Sequence, residues 1–217
     1  MNIRLRLPVV VCAALVALPL HAAEIEPVLG RKGKLLLEEK FEGDVVPKGW
    51  TKNTGVIAVS GGALHAGEVA ADKHVGAFRR ALPLRDCAIQ LDFKFAGATA
   101  FHLGFDPAPG ELKKKGHLFS LIVTPELWSI TEHVDKADPK SKNTVRAKAA
   151  AKFPRDQQFT LLLEVKGDDV VARVDGREAL RASAKDFHVK KPGLVFRVAG
   201  PDGAKMIFDN VKVWELQ

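Results

Sequence analysis

Eight polar residues have types and spacings suited to chemistry: Asp92, Lys94, His102, Asp106, His117, Glu132, His133 and Asp135. Most lie in segments where apolar and polar residues alternate, so they fall on the polar side of an extended chain. His102 and Asp106 are four apart and share a face, as do His133 and Asp135. Glu132 and His133 are adjacent and face opposite sides, so only one of them can join a common site. Arg197 occupies the polar side of a further segment. Imidazoles and carboxylates placed this way suit a cleft for a polyhydroxylated ligand, a general acid/base pair or a low-affinity metal site. They equally suit the ordinary solvated side of a sheet. The candidate catalytic residues are His102, Asp106, Glu132 and His133. The candidate ligand contacts are Asp92, Lys94, His102, Asp106, Trp128 and Arg197. No cluster has the spacing of a zinc set, and no glycine-rich phosphate loop is present.

The elements that must position these residues are strands. Cys87, Ile89, Leu91, Phe93 and Phe95 point one way, while Ala88, Gln90, Asp92 and Lys94 point the other. The same alternation recurs at Phe101 to Phe105, Phe159 to Val165, Val170 to Val174 and Leu194 to Val198. Turn residues separate the stripes: Ser60-Gly61-Gly62, Lys166-Gly167-Asp168, Asp175-Gly176 and Pro201-Asp202-Gly203. Asp175-Gly176 predicts a tight hairpin between Val170–Asp175 and Glu178–Ala182. About eleven short strands with little helix predict an all-β fold, a two-sheet antiparallel sandwich. One region, Lys136 to Arg155, with Val145 to Lys152 rich in Ala, breaks the pattern and reads as a short surface helix or an ordered loop insertion.

Residues 1–23 read as a secretory signal peptide. Arg4 and Arg6 precede the apolar run Pro8 to Leu20, and cleavage after Ala22 or after Ala23 fits equally. No later run reaches the roughly 18 apolar residues of a spanning helix. The expectation is an exported, periplasmic or extracellular protein with one domain over residues 24–217. The signal carries two Arg and no acid, so its removal lowers the net charge from +7 to +5. It also leaves one cysteine, Cys87, which sits in an apolar stripe and reads as a buried thiol; stability must then come from the core. Lys113-Lys114-Lys115 and the seven basic residues between Lys136 and Arg155 carry much of the excess charge. Such loops attract polyanions. In an exported protein that means acidic polysaccharide or surface lipid, and no nucleic-acid module is present.

Several stretches resemble the concanavalin A-like lectin/glucanase superfamily, with the 3-keto-disaccharide hydrolase-like secreted domains nearest. They are Leu35 to Phe41, Pro47-Lys48-Gly49-Trp50, Gly55 to Leu64, and Ile207-Phe208-Asp209-Asn210-Val211-Lys212-Val213-Trp214. The resemblance implies a jelly roll that binds carbohydrate. It also implies a structural calcium held by Glu39 or Glu42, carbonyls near Gly43, and Asp209, while no other cofactor is required. Retaining glucanases of the superfamily carry E-x-D-x-x-E or E-x-D-x-E on one strand. Here Gln90-Leu91-Asp92-Phe93-Lys94 keeps only the central acid, so glucanase chemistry lacks its carboxylate pair. The N-S-G-x-x-x-R segment of the hydrolase-like domains is absent from Gly97 to Gly104. The expected function is therefore carbohydrate binding. An enzyme acting on oxidised or unusual glycosides, or a structural envelope module, are the alternatives. With no Tyr in the chain, aromatic platforms for sugar rings reduce to Trp128, Trp50 and Phe119.

Overall fold

Alternation of period two places one side of nearly every strand in a shared dry interior, and two sheets close over it. The computed structural model describes residues 24–217; the expected signal peptide, residues 1–23, lies outside the described residues. One sheet contains β1 (Lys32–Glu39), β3 (Val56–Ser60), β4 (Ala63–Gly67), β6 (Cys87–Ala96), β11 (Gln158–Lys166), β12 (Asp169–Val174), β13 (Arg177–Ser183) and β15 (Lys205–Leu216). Its order is β13-β12-β11-β6-β15-β4-β3, with β1 also paired to β15. The other contains β2 (Trp50–Thr54), β5 (Gly76–Leu84), β7 (Ala100–Phe105), β8 (Phe119–Val123), β9 (Leu127–Glu132), β10 (Thr144–Ala150) and β14 (Lys191–Ala199). Its order is β10-β9-β8-β7-β14-β5-β2. All ladders are antiparallel, as the alternation predicts. The predicted hairpin joins β12 to β13, with Asp175 and Gly176 at φ 49° and 77°. Positive φ at both turn positions is the geometry that matches strand twist.

All twelve Phe and all three Trp are buried. Phe78 stacks on Phe196 at 5.0 Å between ring centroids, and Phe208 meets Phe196 and Phe101 edge-on at 5.3 and 5.4 Å. Phe93 packs on Phe101 at 5.0 Å and on Phe159 at 5.6 Å. Cys87 is fully buried and unbridged, and burial pushes its thiol pKa up to about 12. No helix among the described residues is long and apolar enough to cross a membrane.

The segment Val145 to Lys152 departs from expectation, because Thr144–Ala150 is an edge strand. Arg146, Lys148 and Lys152 are exposed, while Ala147, Ala149 and Ala151 pack on the core. The alternation is present, but with methyl groups as its apolar members it resembles a helix-forming Ala run.

The two sheets present different outer faces. Residues 25–29 cross the outer face of the eight-stranded sheet, where Ile25 and Leu29 pack against Ala88, Leu162, Trp214 and Leu216. The Ile25 N–H donates to Gln90 Oε1 at 2.8 Å, and those of Val28 and Leu29 donate to Glu164 Oε2 at 2.7 and 2.8 Å. The seven-stranded sheet has no such cover among the described residues.

Because Phe93 touches four other rings and is 1% exposed, Phe93→Ala leaves a cavity at the centre of the core. The expected cost is about 3–5 kcal/mol in urea unfolding. A cost below about 1 kcal/mol would contradict this account of the core.

Candidate functional site

The uncovered outer face of the seven-stranded sheet carries the polar cluster. His102 on β7 lies beside Arg197 on β14 and Ile122 on β8. In the next cross-strand row Gly104 lies between Ser120 and Val195, and Val195 pairs with Arg79 on β5. Beyond the strand ends stand Asp106, His117 and His133. Asp106 accepts from His117 Nδ1 at 2.5 Å through one oxygen and from Arg79 Nη1 through the other. Burial raises the Asp106 pKa, but these two bonds outweigh it and hold the carboxyl below its ordinary range. An ionised carboxylate only accepts, so His117 donates to it from Nδ1. The rings of His117 and His133 meet edge-on at 5.6 Å, and His133 Nε2 is 2.8 Å from Ser120 Oγ.

Gly104 makes this last contact possible, since a Cβ there would lie 2.3 Å from Ser120 Oγ. A glycine on a central strand thus gives the Ser120 hydroxyl its place beneath His133. Burial lowers the pKa of His102 to about 4, with help from Arg197 and His117. His133 is also lowered to about 4, by burial and then by Arg197, His117, His102 and Lys114. Both rings are therefore neutral at pH 7. Beside them opens a cleft of about 510 Å³ lined by Arg79, Asp106, Lys114, His117, Lys136 and the turn Pro107–Gly110.

The predicted site residues do not all converge. His102, Asp106, His133 and Arg197 come together on this face. Asp92 and Lys94 belong to β6, in the opposite sheet. Asp92 is 2% exposed and accepts from Thr160 Oγ1 at 2.6 Å, Asn210 Nδ2 at 2.9 Å and Gln158 Nε2 at 3.1 Å. It is a structural carboxylate, satisfied within the sheet. Glu132 points away from His133 and pairs with Arg146 at 2.6 Å and Lys114 at 3.8 Å. Asp135 accepts from the Lys115 and Ala137 amides at 2.9 and 2.8 Å, holding the two basic loops together. Trp128, Trp50 and Phe119 are buried, at 3%, 7% and 0% exposure, and none stands in this cluster; Trp128 borders a separate cleft of about 500 Å³ with Phe153 and Phe159.

Of the residues in the calcium expectation, Glu39 on β1 pairs with Val211 on β15, the strand that carries Asp209. Asp209 accepts from the Asn210 N–H at 2.7 Å, at a bulge where Asn210 adopts φ 50°, while Glu42 is exposed. No group of three or more His, Cys, Asp or Glu fit to hold a metal occurs among the described residues.

Arg79 and His117 complete the cluster. Sequence reasoning noted His117 without giving it a role and passed over Arg79. The available signal was weak: Arg79 stands between Phe78 and Arg80 in a strand with no strict alternation.

No protein-family model matches the sequence, and no curated protein matches it. Solved structures do match in shape. A Bacillus subtilis protein of unknown function with a galectin-like fold superposes with TM-score 0.64 at 15% identity, over 86% of this chain and 98% of its own. The shared fold is the concanavalin A-like jelly roll. A non-specific endo-β-1,3(4)-glucanase of family GH16 gives TM-score 0.63 at 16% identity, over 85% of this chain and 91% of its own. The carbohydrate-binding module CBM66 from Bacillus subtilis gives 0.61 at 17%, over 77% of this chain and 96% of that module. At these identities the likeness shows the jelly roll alone.

Two neutral histidines in the folded state make stability fall in acid. Their folded pKa values lie below the unfolded value near 6.5, so the unfolded chain binds more protons between pH 6.5 and 4. Stability is full above pH 6.5 and declines toward pH 4 by an expected 2–4 kcal/mol, roughly, after solvent screening. Loss of charge on Asp106 adds in the same direction at lower pH. Urea midpoints from pH 7.5 to 4 check this. In the doubly substituted His102→Asn, His133→Gln protein the slope in this window should shrink by at least half, and an unchanged slope would assign it elsewhere.

Proposed function

We propose that the protein is an exported carbohydrate-binding protein. Its ligand lies on the outer face of the seven-stranded sheet, and it lacks the paired carboxylates of a retaining glucanase. One observation carries the reading: the single uncovered sheet face among the described residues bears Arg79, Asp106, His117, His133, His102 and Arg197 beside a cleft of about 510 Å³. Concave polar sites of this size on rigid strands suit small ligands. Structures sharing the fold include a protein named as a carbohydrate-binding module and one named as a glucanase, which supports a sugar as the ligand. On β6 the residues flanking Asp92 at the alternate positions are Gln90 and Lys94, and Asp92 itself is sealed, which supports binding without glucan hydrolysis.

A glycan array followed by amide shift mapping tests the reading. The expected result is binding with shifts at His102, Gly104, His117 and Arg197, and a roughly tenfold weaker affinity for His117→Ala. Absence of binding across neutral and acidic glycans would remove it.

A second reading rests on the Asp106–His117 pair alone. A carboxylate that fixes the Nδ1 proton leaves Nε2 as a base, the arrangement general-base catalysis uses. Nε2 of His117 makes no hydrogen bond to the described residues. This enzyme reading predicts glucose release from 3-keto-disaccharides that falls at least a hundredfold in His117→Gln. No turnover by the wild type ends it.

A further inference from the structure

We infer that the Arg197–His102 end of this face receives the acidic group of a charged glycan, a carboxylate or sulfate, an inference that rests on the carbohydrate-binding reading above. Arg197 projects from a central strand, is half-buried, and its side chain makes no hydrogen bond or ion pair with any described residue. The nearby acid is Asp106, and both its oxygens are already taken, by His117 and by Arg79. The neighbouring acids are committed as well: Glu132 to Arg146 and Lys114, and Asp135 to backbone amides. Positive charge is thus in excess here, with Lys114 and Lys136 lining the adjoining cleft.

Burial lowers the Arg197 pKa, Asp106 opposes this, and Arg79 adds to the lowering. A desolvated guanidinium without a partner is costly to the folded chain, and an anion that pairs with it recovers that cost on binding. Its planar fork accepts two oxygens at once, which suits carboxylate and sulfate better than a hydroxyl. Beside it, His102 Nδ1 is buried and unpartnered. The neutral ring supplies a donor next to the cation without adding repulsion.

The aromatic inventory points the same way. The chain has no Tyr, every Phe and Trp is buried and none lines the cleft beside Arg79 and Asp106, so ring stacking on Phe or Trp does not supply the affinity there. Charge and hydrogen bonds must supply it.

Calorimetric titration of the purified protein at low salt tests this. The probes are oligogalacturonate, its methyl ester, carrageenan oligosaccharide and its desulfated form. At least one charged probe should bind ten- to a hundredfold more tightly, roughly, than a neutralised partner, and which pair responds identifies the group. Arg197→Met should bring the charged probe down to the neutral level. Arg197→Lys should recover part of the loss, and His102→Asn should weaken binding several-fold. Melting of Arg197→Met should stay at or above wild type, since no native contact is lost.

Equal binding of charged and neutral probes sinks the inference and leaves the carbohydrate reading intact. Binding of neither sinks both. Charged-probe binding that Arg197→Met leaves unchanged places the acid elsewhere and overturns the assignment. If the variants fail to fold, wild-type affinity that ignores salt between 50 and 300 mM, roughly, overturns it equally.

Discussion

Aromatic packing between the sheets is the interaction on which the rest of the molecule depends. With Cys87 buried and unbridged, no disulfide holds the described chain, and a two-sheet fold of this size must be stabilised by its apolar interior. The interior takes every Phe together with Trp50 and Trp128, while Trp214 is buried beneath residues 25–29 on the outer face. That commitment explains the stability of the sandwich, and it also restricts its outer faces. Their exposed surface is left with aliphatic, hydroxyl, amide and charged groups, so recognition there works through hydrogen bonds and charge.

The two outer faces are then distinguished by a short stretch of chain. Residues 25–29 lie over the eight-stranded sheet, and their amides meet Gln90 and Glu164, which occupy outward positions on β6 and β11. The strap buries groups that would otherwise be solvated, and Glu164 Oε1 remains without a partner beneath it. Asp92 on the same sheet is enclosed by Thr160, Gln158 and Asn210. A covered face whose carboxylates all serve its cover or its own strands has little left for a ligand. The seven-stranded sheet keeps its polar groups in reach of solvent, and there the single loop between β7 and β8 builds a wall for the cleft.

The fold class was legible in the sequence because period two is a local signal. Phe93, Phe101, Phe159 and Phe196 each declare their side through their immediate neighbours. The site was legible only in part, because sheet membership is a long-range property. Asp92 and His102 read as equivalent polar positions ten residues apart, yet β6 and β7 fall in different sheets and their outward residues face opposite ways. The Ala run at 145–152 was misread because burial there depends on what the strand pairs with, and Ala is compatible with either element. Trp128 shows the converse: its position beside Ile130 in the alternation already indicates the core, where it lies. His117 and Arg79 could not be assigned from spacing, since Asp106 joins a residue at the far end of its own β7–β8 connection to one on β5, which the sequence does not place beside it.

Asp106 also decides why the cluster does not neutralise itself. One carboxylate faces two arginines and three imidazoles. Had it been free to turn toward Arg197, the face would be internally satisfied, with no charge to offer. Instead Arg79, one row away on β5, and His117, fixed ahead of β8, hold both oxygens at the strand end. Gly104 contributes from below by admitting the Ser120 hydroxyl, which engages His133 and leaves that ring edge-on to His117. The network is closed on the side of Asp106 and open on the side of Arg197. Retaining a half-buried cation beside two neutral histidines gives up stability that Asp106 could have provided. The geometry that prevents the pairing is set by backbone register, and register is what the aromatic core fixes most firmly.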